Sequence, residues 1–220
     1  MKKKLLFTFM VILAVNSYAQ ISFEKGYFIT NSNERFECLI KNIDWKNNPT
    51  SFKYKLLNSD EKKEVIIDDV MEFGIYNESK YIRSTVEIDK SSDHLDRLST
   101  SRNPIFNKET LFLEVLTEGD ANLYLYRKGM SKRFFYDIKN SDKKQLIHKR
   151  YVITLKSLGK QKRYKKEFAS NVNNRYKQQL ASNLRCSLIT INDLHKLEYR
   201  KKDLIKYFAK YNSCNDTNQN

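Results

Sequence analysis

Glycine is scarce here: the chain has five in 220 residues, standing alone at positions 26, 74, 119, 129 and 159. None of the spacings matches a phosphate-cradling loop or a dinucleotide fingerprint, so no nucleotide site is expected. Histidine is equally thin. His94, His148 and His195 lie far apart without HExxH spacing, and there is no CxxC pair, so neither a zinc site nor any other cofactor is expected. No Gly-x-Ser-x-Gly elbow occurs. With two prolines and no glycine- or serine-rich run, the chain has no low-complexity linker. Past residue 19 no apolar stretch is long enough to span a bilayer.

What is present describes an exported globular protein. Residues 1–19 carry lysines at 2–4, an apolar run from Leu5 to Val15 and the small-x-small triplet Ser17-Tyr18-Ala19, the three parts of a secretory signal cut before Gln20. The chain as a whole holds a packed-domain share of apolar residues, with 14 Tyr and 13 Phe. The formal charge is +15, and losing the three signal lysines would leave it strongly positive. Such a balance draws acidic polymers, although the lysines are spread over every segment. Three cysteines in an exported chain leave one odd thiol. Cys186 and Cys214 flank the C-terminal helical region and are the disulfide candidates, while Cys38 shares a strand face with Phe36 and Ile40 and suits a buried position.

The apolar pattern predicts an α+β protein: a mainly antiparallel sheet over 20–155, a helical part over 156–214 packed on it, and a frayed tail over 215–220. Hairpins are expected around Asn31–Glu34, with Ile29 beside Phe36 and Tyr27 beside Cys38, and around Asn58–Lys62. Trp45 should lid the core, and Asp68-Asp69 should form a turn. The clearest stretch is Glu109–Ile138. A three-residue loop at Glu118–Asp120 would set Val115 opposite Leu123 and Leu113 opposite Leu125. A Gly-first turn at Gly129-Met130 would set Leu125 against Phe134 and Leu123 against Tyr136. The C-terminal part should contain helices at about 174–184, after a Thr190–Asp193 capping box, and from Arg200 to Tyr211.

Two patterns invite functional readings. The segment from Lys90 to Lys108 is the longest without a period, and Asp93, His94, Asp96 and Arg97 make it the densest polar cluster in the chain. It is a candidate functional loop, and His94 alone supports a secreted hydrolase with a triad assembled from distant segments. Aromatic and basic residues interleave at 124–128 and 132–136, as they do on nucleic-acid-binding sheets, yet export disfavours nucleic acid as a partner.

The stretches Gly26-Tyr27-Phe28-Ile29, Ile40–Pro49, Tyr176-Lys177-Gln178-Gln179-Leu180 and Tyr211-Asn212-Ser213-Cys214 together resemble a family of secreted Gram-negative envelope proteins without assigned activity. The resemblance covers nearly the whole chain after the signal. It implies a periplasmic or outer-membrane-associated location. It also implies a soluble region that in longer members precedes an outer-membrane β-barrel, whereas this chain stops at Asn220. It carries no catalytic residues. The function expected from all of this is a non-enzymatic envelope module that binds or organises another envelope component, such as another envelope protein, through its sheet edge or long loop. The alternatives are an anionic envelope polymer as ligand, and the hydrolase.

Overall fold

A computed structural model describes residues 22–139, 141–154 and 168–216. The expected signal segment and the end of the expected tail lie outside the described residues. The first strands are β1 (Phe23–Thr30), β2 (Arg35–Lys41), β3 (Ser51–Leu56), β4 (Lys63–Ile66), β5 (Val70–Ile75) and β6 (Ser79–Ile88). The expected meander follows as β7 (Asn107–Thr117), β8 (Ala121–Lys128) and β9 (Ser131–Ile138), then β10 (Lys144–Gln145). These ten form one antiparallel sheet in the order β10-β9-β8-β7-β6-β5-β1-β2-β3-β4. A separate two-stranded ribbon pairs β11 (Lys149–Thr154) with β12 (Phe168–Asn173). Among the described residues three helices follow: α1 (Arg175–Asn183), α2 (Ile191–Lys196) and α3 (Lys201–Asp216). The expected fold class is therefore the observed one, and α3 carries helix through Asn215 and Asp216 into the segment expected to fray.

Directly paired residues of antiparallel strands point to the same face. The registers therefore lay one row across the sheet: Phe36, Phe28, Phe73, Tyr81, Glu114, Leu125 and Phe134. At one end of this row Phe28, Phe73 and Tyr81 belong to an aromatic cluster with Cys38, Ile40 and Phe52, lidded by Trp45 edge-on to Phe73 and Tyr81. At the other end Leu125 and Phe134 pack with Leu180, Leu204 and Phe208 of the helices. Glu114 sits between the two, 7 % exposed. Its charge is held by Arg127 Nη2 at 2.7 Å and by Lys201 Nζ of α3 at 2.6 Å, which ties the start of that helix to the sheet. The opposite face carries Val86, Ile88, Leu111, Leu113, Tyr124, Tyr126 and Phe135.

The sheet is not flat. Asn48 donates Nδ2 to the carbonyls of Phe112 and Leu125 and exchanges two bonds with the Arg127 backbone, so it wedges between β7 and β8 where their direct pairing ends. Only three residues later the chain enters β3 at Ser51, a reach of about 10 Å. On a flat sheet β3 and β8 would be six spacings apart, about 29 Å. The sheet therefore coils around the aromatic cluster. Strands β6 to β10 coil the other way, around the second face, until β10 meets β6 and Gln145 Oε1 accepts the Asp89 N–H at 2.8 Å.

Two registers differ from expectation. In the first hairpin Asn33 takes a left-handed φ of 64°, which asparagine tolerates. This tightens the turn, so that Phe28 faces Phe36 and Gly26 faces Cys38, placing Tyr27 on the other side of the sheet. In the meander β8 and β9 pair as expected, Leu125 with Phe134 and Leu123 with Tyr136, and Gly129 has the positive φ of a Gly-first turn. Between β7 and β8 a bulge after Val115 shifts the register, so Glu114, not Leu113, opposes Leu125. Leu113 and Leu125 lie on opposite faces, contrary to the expected pairing. The apolar count gives no warning, because both faces of β7 are buried, and Arg127 and Lys201 make the inward Glu114 tolerable.

Candidate functional site

The long segment after β6 is anchored, not loose. Its anchor is Asp89, 2 % exposed at the end of β6. The Asp89 carboxylate accepts hydrogen bonds from the Ser91 N–H and hydroxyl and from the Ile105 N–H, and it pairs with Lys149 Nζ at 3.0 Å. Burial raises its pKa, but the Ser91 hydroxyl and N–H and the Lys149 ammonium outweigh that and leave the carboxyl below its ordinary value. Arg133 completes the knot by donating to the carbonyls of Asp89 and Ser91 and to Asp93 Oδ2 at 2.7 Å. Lys149 also donates to the Asn103 carbonyl at 2.8 Å. Lower down, the Val152 N–H donates to the Ser99 carbonyl, joining the segment to the β11–β12 ribbon.

The four residues expected as a functional cluster are divided by this arrangement. Asp93 turns inward to Arg133. His94 precedes a single 3-10 turn (Leu95–Arg97) and makes no side-chain cap there. Asp96 and Arg97 pair with each other at 3.6 Å on the exposed side. The other histidines stand elsewhere. His148 stacks on Tyr199 with centroids 4.4 Å apart and bonds Asn174 Oδ1 through Nδ1; burial lowers its pKa. The aromatic residues of the two aromatic-basic stretches do not make a platform, because Tyr124, Tyr126, Phe134, Phe135 and Tyr136 are buried.

The anchored segment forms a wall of a different feature. Asn173, at the end of β12, donates Nδ2 to the Arg102 carbonyl at 3.0 Å and accepts the Arg175 N–H on Oδ1, so one carboxamide ties the segment to the start of α1. Helix α1 is fixed in turn by Gln179, which exchanges hydrogen bonds with the backbone of Gln145 and Ile147. Between these walls lies a cleft of about 570 Å³. Its charged lining is Arg102, Arg175 and Lys177, and its neutral polar lining consists of the carboxamides of Asn103, Asn173, Asn174 and Gln178. Among the described residues no carboxylate lines it. Arg175 also borders a second cavity of about 590 Å³ at the β6–β10 seam, lined by Lys108, Lys143 and Lys144 with Glu87 and Asp142, where Lys143 is paired with Asp137 at 3.4 Å and where Phe106 is exposed.

The sequence pattern predicts only that a helix starts at about residue 174. The available signal was the density of carboxamides beside Arg175, but Arg102, some seventy residues away, could not be joined to it without the fold.

Cys186 and Cys214 form a disulfide, with Cα atoms 6.2 Å apart, and Cys38 is buried. Among the described residues no helix is long and apolar enough to cross a membrane, and no group of three or more His, Cys, Asp or Glu is placed to hold a metal ion. Comparison with family models, curated proteins and solved structures finds no match. The functional reading therefore rests on the site itself.

Proposed function

We propose that this protein is an exported, non-catalytic binding module of the cell envelope whose ligand is an acidic polymer, held in the cleft between the anchored segment and α1. One observation carries the reading: Arg102, Arg175 and Lys177 line a cleft in which, among the described residues, no carboxylate stands. Cations grouped without a counter-charge raise the local concentration of anions, and the surrounding low-dielectric walls strengthen the field. The net positive charge, +15 for the full chain and lower by the three signal lysines after cleavage, adds long-range attraction of the same sign. Export is supported by the signal pattern at residues 1–19 and by the Cys186–Cys214 disulfide, which suits an oxidising compartment.

The test is retention of the purified protein on beads bearing an acidic polysaccharide, with neutral dextran beads as the reference. Retention that falls steeply between about 50 mM and 200 mM salt, where the screening length shortens, is the expected result. Equal elution from acidic and neutral beads at low salt would remove the proposal. Export is checked separately by sequencing the N-terminus of the cell-derived protein, which should begin at Gln20.

A further inference from the structure

We infer that the cleft recognises an acidic sugar residue and that the second cavity takes the uncharged sugar next to it, so that the ligand is a polysaccharide in which charged and neutral units alternate. This narrows the acidic-polymer reading above and rests on it. The first support is the mixture of groups in the cleft. Among the described residues the guanidinium groups of Arg102 and Arg175 and the carboxamides of Asn103 and Gln178 have no partner within the chain, and the Nδ2 of Asn174 is free as well. A guanidinium takes a carboxylate or sulfate with two parallel bonds. A carboxamide presents a donor and an acceptor side by side, which suits sugar hydroxyls, since each of these both donates and accepts.

The second support is the change in charge along the groove. Arg175 belongs to both cavities, so a chain bound at the cleft continues past it. Beyond it the charged lining changes to Lys108, Lys143 and Lys144 with Glu87 and Asp142, and Lys143 is itself paired with Asp137 at 3.4 Å, which leaves two lysines against two carboxylates. A ligand with a negative charge on every unit meets those two carboxylates, whereas a neutral unit does not. The third support is the aromatic content. Among the described residues the cleft itself has no aromatic residue, and the second cavity has one, Phe106, 40 % accessible. That provides for one sugar ring, whereas a nucleic-acid strand uses successive aromatic side chains for successive bases.

The experiment is isothermal titration of the full chain with three probes at about 50 mM salt: an oligosaccharide alternating glucuronate with N-acetylglucosamine, an oligogalacturonate, and an oligothymidylate, the last two matched to the first in total charge. The alternating oligosaccharide should bind about tenfold tighter than either competitor. Arg175→Ala should weaken it by about ten- to a hundredfold, the value of a lost charge-assisted hydrogen bond. The double variant N103A/Q178A should weaken the alternating oligosaccharide several-fold and leave the oligothymidylate unchanged. Asn103, Arg175 and Gln178 are exposed, so the variants should melt like the parent protein. Equal affinity for the three probes, with no effect of N103A/Q178A, would overturn the alternating-sugar inference and leave a general anion binder. Tighter oligothymidylate binding would overturn it in favour of nucleic acid. If none of the probes binds, the inference and the proposed function both fail.

Discussion

Replacing Asp89 with Asn tests whether one buried carboxylate holds the binding wall in place. The side chains of Asp89 and Lys149 are 3 % and 5 % exposed, so the substitution leaves an ammonium ion inside the protein without its counter-charge. Breaking a buried pair from one side costs about 3–5 kcal/mol. Lys149 keeps its bond to the Asn103 carbonyl, which places the expected loss near the lower end, at about 3 kcal/mol. Asn also brings an amide donor to a position surrounded by the N–H groups of Ser91 and Ile105. Urea denaturation should show an earlier midpoint with an unchanged slope. Hydrogen exchange should quicken over residues 99–106, and affinity for acidic polymers should fall although Asp89 lies outside the cleft lining. The exposed Asp96→Asn is the control and should stay within about 0.5 kcal/mol of the parent. The pH dependence follows from the depressed carboxyl pKa of Asp89. Its stabilisation is complete above the unfolded-chain value and is lost as pH falls through the lower folded value. The parent protein should therefore lose more stability on acidification than D89N. A D89N protein within about 1 kcal/mol of the parent, with unchanged exchange in the segment, would refute the anchoring argument.

Reducing the Cys186–Cys214 bond, or replacing both cysteines with Ser, should cost about 3.5 kcal/mol, the loop-closure value for a separation of 28 residues, and an unchanged urea midpoint would contradict this. Cys38 is 1 % exposed, and burial pushes its thiol pKa up to about 12. A thiol reagent at neutral pH should modify one cysteine per chain only after unfolding, and rapid labelling of the native protein would count against the described core. The imidazole of His148 should titrate below the ordinary histidine value in an NMR pH series, because burial disfavours its charged form; a midpoint at or above that value would place it in solvent.

Local chemistry was legible wherever it was self-contained. Gly129 fixed a two-residue turn and with it the β8–β9 register, and Thr190 with Asp193 formed the capping box read from four residues. The disulfide followed from the expected export and from the positions of Cys186 and Cys214. The errors came where distant residues decided the outcome. Leu111, Phe112 and Leu113 are all buried, so alternation could not say which of them faced the helices. The deciding group was Glu114, whose inward place depends on Lys201, far along the chain. In the same way Asp93, His94, Asp96 and Arg97 are dense in sequence but separate in space, whereas the cleft joins Arg102 to Arg175 through Asn173. Composition announced a basic protein. Only the coil of the sheet and the anchored segment show where cations gather without carboxylates.

The most direct test of the binding claim is an NMR titration of the isotope-labelled protein with an acidic oligosaccharide, following the backbone amides. The account predicts the largest shifts at Arg102, Asn103 and residues 172–178, with smaller ones at Phe106 and Lys108 and none along the lysines of α3. Shifts spread evenly over all the lysines, or concentrated on α3, would show that net charge rather than the cleft binds the ligand.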